Sequence, residues 1–323
     1  MANPLRIIID TLGSDKGDNT IILGAHLLMN EFKDLNITLI GNEKNIKDQI
    51  ESLKMDSTRI KIINAAETIN NNESTINAFF DKPNSSLLLS LKELSKDDDS
   101  IGVLSAGNTG ALLMGTMKYL KVDNIRPCLA AILPNSDNKT YTCLVDVGAT
   151  IDCTKEQLHN FAILGRDFMY DLYQIDSPRV GLLSNGSEAA KGNKLVKETY
   201  KLLEQDKSIN FIGNVEGNVA FSGICDVLVA DGFVANQVLK VTEGTAMRII
   251  EDVVKYSKDN PFGLEIAKYL KEHYDVSNLG GGIILGGRKP VIKCRGNSNE
   301  IAILSTGKML INLYKGKQVY TKN

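Results

Sequence analysis

The segment Ser105-Ala106-Gly107-Asn108-Thr109-Gly110-Ala111 gathers two hydroxyls, a carboxamide and two glycines into seven residues. It falls where an apolar run, Ile101 to Leu104, gives way to a helical pattern from Ala111 to Leu120. The first turn of a helix leaves backbone N–H groups without intrahelical partners, and the positive end of the helix dipole faces the same way. Glycines let a ligand approach that backbone closely. The chemistry this predicts is binding of an anion, a phosphate or a carboxylate, by Ser105, Gly107, Asn108 and Thr109. A plain tight corner between strand and helix is the structural alternative.

Four further polar, glycine-containing turns follow apolar runs. Asp10 leads into Thr11-Leu12-Gly13-Ser14-Asp15-Lys16-Gly17, and Asp146 into Val147-Gly148-Ala149-Thr150. The other two are Asn185-Gly186-Ser187-Glu188-Ala189-Ala190-Lys191-Gly192 and Asp231-Gly232-Phe233-Val234-Ala235-Asn236. Ligands of open α/β sheets bind at the carboxyl ends of the strands, so these turns are expected to line one cleft. Asp10, Gly13, Asp15, Asp146, Gly148, Asp231 and Gly232 are thereby candidate substrate- or phosphate-binding residues. Taken singly, each glycine reads as a turn and each aspartate as a helix cap. Lys191 is expected just inside a helix, where the dipole disfavours a cation, and an anionic partner explains it better.

The elements that must position these turns alternate. Arg6 to Asp10, Ile37 to Ile40, Arg59 to Ile63, Ile101 to Leu104, Arg179 to Leu183, Phe211 to Ile212 and Val227 to Ala230 read as buried strands. Helical patterns over Thr20 to Lys33, Ser85 to Leu94, Lys155 to Tyr173 and Lys191 to Glu204 separate most of them. That alternation predicts an α/β fold with a doubly wound, mainly parallel sheet. Leu129 to Leu133 and Thr140 to Asp146 are joined only by the polar Pro134-Asn135-Ser136-Asp137-Asn138-Lys139, which suits an antiparallel hairpin.

The 323 residues, 43% hydrophobic, suffice for a large core, and a formal charge of −2 gives no basic face for nucleic acid. With no apolar run of about 18 residues, the reading is a soluble, cytoplasmic protein. The five cysteines never occur as C-x-x-C and read as buried thiols. No metal site is expected, because His26, His159 and His273 are isolated from one another and from any cysteine pair. No cofactor is expected either, since Ser305-Thr306-Gly307-Lys308 lacks the rest of a Walker sequence and no strand precedes a full G-x-G-x-x-G. A G-x-S-x-G elbow is also missing. What is left is a set of amide, hydroxyl, lysine and backbone donors without a nucleophile. It suits a reaction in which phosphate itself attacks.

In order, the chain carries Ile9-Asp10 with Gly13 and Asp15, Ser105 to Ala111, Arg126-Pro127, Asp146-Val147-Gly148-Ala149, Lys191-Gly192 and Asn210 to Gly217. Asp231-Gly232-Phe233 with Asn236, Leu239-Lys240 with Glu243-Gly244, and Gly280-Gly281 follow. Over nearly its whole length this series resembles the PlsX phosphate acyltransferases. The resemblance implies a Rossmann-like fold related to phosphotransacetylases and isocitrate-type dehydrogenases, with residues 1–323 forming one acyltransferase domain. It implies a homodimer that transfers a fatty acyl group from acyl carrier protein to inorganic phosphate, giving acyl phosphate for phospholipid synthesis. Lys191 and Asn236 match the lysine and asparagine to which catalysis is ascribed in the family. Residues 244–279 correspond to a smaller helical subdomain, expected to serve dimer packing or peripheral membrane contact.

The chain departs from the family pattern at two histidines, replaced by Lys16 and Arg295, and at Thr150, where the family has asparagine. Two other readings stand beside the acyltransferase: a phosphotransacetylase-like enzyme using acyl-CoA, and a diverged homologue that binds without catalysing.

Overall fold

Residues 5–137, 139–258, 260–274 and 281–320 are described in the computed structural model. Gly280 of the Gly280-Gly281 pair, Asn138 of the hairpin turn, and 259 and 275–279 of the helical segment lie outside them. The chain forms two compact units, Met1–Pro127 with Gly280–Asn323, and Cys128–Leu279.

With strands numbered along the chain, the first unit holds β1 (Arg6–Asp10), β2 (Asn36–Gly41), β3 (Ile60–Asn64), β4 (Ser100–Ser105), β10 (Gly282–Leu285) and β11 (Val291–Lys293). Their order is β3-β2-β1-β4-β11-β10, and β10 alone runs antiparallel to its neighbour β11. The helices are α1 (Asp18–Glu31), α2 (Glu43–Ser52), α3 (Thr75–Asp81), α4 (Ser86–Leu94), α5 (Thr109–Tyr119) and α10 (Glu300–Tyr320). Strand β1 is an unbroken Ile7-Ile8-Ile9 run, fully buried because helices cover both faces of a parallel sheet. Helix α1 turns Ile21, Ile22, Ala25, Leu28 and Met29 inward at the three- and four-residue spacing of one helical face. Ile9 pairs with Leu104, and Ser105 pairs with Lys293. Asp10, Ser105 and Lys293 therefore end their strands side by side at the carboxyl edge of the sheet.

The second unit holds β5 (Cys128–Pro134), β6 (Tyr141–Val145), β7 (Arg179–Ser184), β8 (Asn210–Glu216) and β9 (Val227–Val229), ordered β5-β6-β9-β7-β8. The β5–β6 hairpin is antiparallel, with Ala130 opposite Val145, and the other pairings are parallel. Its helices are α6 (Lys155–Tyr173), α7 (Lys194–Gln205), α8 (Gly232–Ser257) and α9 (Pro261–Tyr274). Helix α6 occupies the expected span, opened by a capping box in which Thr154 and Gln157 satisfy each other's backbone N–H groups. The core of the unit joins Leu144, Leu183, Val215 and Leu228 to Ala235 and Leu239 at the start of α8. Val145 and Leu182 both pair with Val229, so Asp146, Ser184 and Asp231 emerge along one edge.

The structure corrects the sequence reading at three places. Strands β10 and β11 were not anticipated, because three or four apolar residues carry too little period to separate strand from loop. Strand β8 runs seven residues rather than two. Helix α7 begins at Lys194, after Lys191, because Gly192 sits at φ +96° and the Asn193 side chain caps the helix by accepting from the Val196 N–H. The dipole argument for Lys191 thus rests on a boundary three residues out of place. Beyond Leu239, helix α8 buries only Ile250 and α9 only Ala267. No helix among the described residues is long and apolar enough to cross a membrane.

Candidate active site

In the first unit the expected residues converge. Ser105 Oγ donates to Asp10 Oδ2 at 2.6 Å and accepts from the Gly107 N–H at 3.1 Å, while Asp10 Oδ1 accepts from the Leu12 N–H at 3.2 Å. Burial raises the Asp10 carboxyl to about 6, against the opposing pull of the Ser105 hydrogen bond and of the Lys293 charge. Gly13, at φ +83°, lies so near the second turn that a Cβ there would stand 2.8 Å from Gly107 Cα. Both glycines serve this backbone-to-backbone approach.

Asn108 is committed to structure. Its Oδ1 caps α5 through the Ala111 N–H at 3.0 Å and accepts from Thr75 Oγ1 at 3.1 Å. Thr109 is the first residue of α5. Asp15 takes part through its backbone N–H, which donates to the Gly296 carbonyl at 2.8 Å, and Asn71 Nδ2 reaches its Oδ1 at 3.4 Å. The departing segments around Lys16 and Arg295 are thus neighbours in space.

Sequence reasoning missed Lys293. Its Nζ donates to the Ala106 carbonyl at 2.8 Å and the Cys294 carbonyl at 2.6 Å, and burial lowers its pKa despite the nearby Cys294, Asp15 and Asp10. A lysine closing the apolar Val291-Ile292 pair, directly before Cys294-Arg295-Gly296, was the available signal.

In the second unit Asp146 is buried and its carboxylate is filled by backbone. Oδ1 accepts from the Leu129 N–H at 2.9 Å and the Ala149 N–H at 3.1 Å, and Oδ2 from the Thr150 N–H at 2.6 Å. Burial raises its pKa and these bonds oppose the rise. Asp231 caps α8, accepting from the Phe233 and Val234 N–H groups. The capping alternative holds for Asp231, and Asp146 shapes its own turn. Gly232 approaches Thr150 so closely that a Cβ would lie 2.5 Å from the Thr150 oxygen.

Asn236 Nδ2 donates to the Val147 carbonyl at 3.0 Å, over Gly148 at φ +124°, where a Cβ would come within 3.1 Å of that nitrogen. Among the described residues this is the one bond of the amide, which leaves a second N–H. Lys191 is exposed and its ammonium has no partner among the described residues. Its backbone N–H donates to the Glu188 carbonyl, and the Gly192 N–H donates to Asn185 Oδ1, at 2.9 Å each.

A cavity of about 550 Å³ lies in this unit, bounded by Gly192 and Asn193 just after Lys191 and by Asp231 and Val234 just before Asn236. Two turns expected at one site thus flank one cavity. Among the described residues no group of three or more histidine, cysteine, aspartate or glutamate side chains could hold a metal ion. None of the five cysteines forms a disulfide, and four of them are buried.

Residues 5–314 match the family model described as fatty acid synthesis protein. A phosphate acyltransferase of Streptococcus pneumoniae is 38% identical over 318 residues, covering 93% of this chain and 92% of its own. One from Halothermothrix orenii is 39% identical over 309 residues with the same coverage. Among solved structures, a phosphotransacetylase from Streptococcus pyogenes superposes with a TM-score of 0.70 at 14% identity, covering 98% of this chain and 95% of its own. A branched-chain phosphotransacylase from Enterococcus faecalis gives 0.60 at 16% identity, covering 96% and 98%. These likenesses show the α/β fold.

Proposed function

Because the chain belongs to the PlsX family of phosphate acyltransferases, its reaction is acyl transfer to inorganic phosphate for phospholipid synthesis, and we propose that acyl carrier protein is the donor. In the proposed step a phosphate oxygen attacks the thioester carbonyl carbon, and the carbonyl oxygen takes the negative charge. Collapse of that intermediate breaks the carbon–sulfur bond and releases acyl phosphate and a thiolate, which takes up a proton.

Two side chains of the second unit suit this chemistry. Asn236 has an N–H to offer the oxyanion, held in place by its other N–H on the Val147 carbonyl. Lys191 offers an unpaired ammonium to neutralise phosphate or to protonate the departing thiolate. The observation that carries the reading is that the turn after Lys191 and the helix start before Asn236 bound one cavity. In the first unit, Asp10, Gly13, Asp15, Ser105, Gly107, Asn108 and Thr109 are read as the framework of a phosphate-binding turn. There Asp10, Ser105 and Lys293 fix the backbone, and the α5 start supplies N–H groups.

The apolar faces of α8 and α9, with Val241 65%, Tyr256 73% and Phe262 71% exposed, are read as dimer contacts in a cytoplasmic protein. A membrane surface is the alternative occupant.

The test supplies acyl carrier protein thioesters with and without phosphate, traps acyl phosphate with hydroxylamine and measures free thiol. Thiol release that depends on phosphate and survives a chelator is the expected result. Phosphate-independent release overturns the reading, and activity with acyl-CoA alone overturns the choice of donor.

A further inference from the structure

The cavity of the second unit is larger than a phosphate needs and has the wrong lining for one. Its walls are Leu158, Leu182, Leu183, Val196, Val234 and Val238, contributed by α6, β7, α7 and α8. A volume of about 550 Å³ is that of a small-molecule site, and such sites are mostly apolar with a few polar groups fixing orientation. The polar groups here are Ser184, Asn185 and Asn193, where the β7 strand ends, and Asp231 at the start of α8. Ser184 Oγ is buried and has no hydrogen-bond partner among the described residues. A buried hydroxyl without a partner is unfavourable unless a ligand or water oxygen completes it. Gly192, the residue after Lys191, comes close enough to Ser184 that a Cβ there would stand 3.3 Å from this oxygen.

Resting on the acyl transfer reading above, we propose that this cavity takes the hydrocarbon tail of the acyl donor and sets chain-length preference, with the carbonyl end at the Ser184 and Gly192 rim. Phosphate itself has no use for six aliphatic walls. A tail does, since each methylene withdrawn from water is worth about fourfold in binding. The cavity thereby holds the acyl group with its reactive end towards the turn that carries Lys191.

The test compares butyryl, octanoyl and dodecanoyl thioesters of acyl carrier protein in the wild type, Val238→Phe and Val234→Phe. Val234 lies at the exposed rim, so its variant serves if the more buried Val238→Phe fails to fold. In the wild type kcat/KM is expected to rise with chain length. In the phenylalanine variants the dodecanoyl-to-butyryl ratio should fall by about tenfold or more. An unchanged ratio in a folded variant overturns the proposal. Dodecyl phosphate, titrated calorimetrically, reads the cavity without turnover: binding at least tenfold weaker in the variants supports the assignment, and equal binding refutes it. If the wild type binds dodecyl phosphate in this way yet releases no thiol with any thioester, the acyl transfer reading fails while the cavity assignment stands.

Discussion

The hydroxyl of Ser105 donates to the carboxylate of Asp10 at 2.6 Å, joining the ends of β4 and β1 across 95 positions of sequence. The bond follows from the register. Ile9 lies beside Leu104, and the next and last residue of each strand lies beyond that pair, where their side chains meet.

Because Asp10 rises to about 6 on burial, from about 3.9 when unfolded, the folded chain binds the proton more tightly. Its favourable contribution is complete below about pH 4 and is lost as pH rises through 6. In the Asp10→Asn variant this dependence should vanish. Between pH 4 and 7 wild-type stability should fall relative to the variant by about 2–3 kcal/mol. Urea denaturation at successive pH values measures it, and parallel curves would contradict the assignment.

Two glycines of α8 should respond oppositely to alanine. At Gly232 a Cβ meets the Thr150 backbone at 2.5 Å, and Gly232→Ala is expected to destabilise by about 1–3 kcal/mol. At Gly244 nothing lies within 4 Å, and Gly244→Ala should stabilise the helix by about 1 kcal/mol. Melting curves of the two variants decide this.

Lys191→Ala should lower turnover by about two orders of magnitude with no change in melting temperature, since the ammonium has no structural partner among the described residues. Asn236→Ala should do both, losing a similar factor in turnover and about 1 kcal/mol of stability with the bond to Val147. Wild-type rates at saturating phosphate in both variants would exclude the proposed roles.

Light scattering at micromolar concentration should report about twice the 35.3 kDa chain mass. Replacing Val241 and Phe262 by glutamate should shift the population to the single-chain mass. A wild type that scatters only as 35.3 kDa would return the apolar faces of α8 and α9 to another partner.

Much of this arrangement is local in origin and is visible in the sequence. The Ile7-Ile8-Ile9 run, the Thr154 capping box before α6 and the polar turn between β5 and β6 are decided by residues within a few positions of one another. So is the placing of polar, glycine-containing turns at strand ends. Tertiary structure decided what those turns do with their side chains. The Asp146 and Asp231 carboxylates look like ligand groups in sequence, and only the fold shows both Asp146 oxygens taken by backbone N–H groups and the Asp231 Oδ1 taken by the first turn of α8. Lys293 is invisible as a site residue until β11 lies beside β4, nearly 190 positions away in sequence, and brings its ammonium to the Ala106 carbonyl. Asn236 likewise gains its orientation from Val147, 89 positions distant. Propensity and hydrophobic period act over a turn or a strand, whereas hydrogen bonds between strand ends exist only after chain closure has set which strands are neighbours.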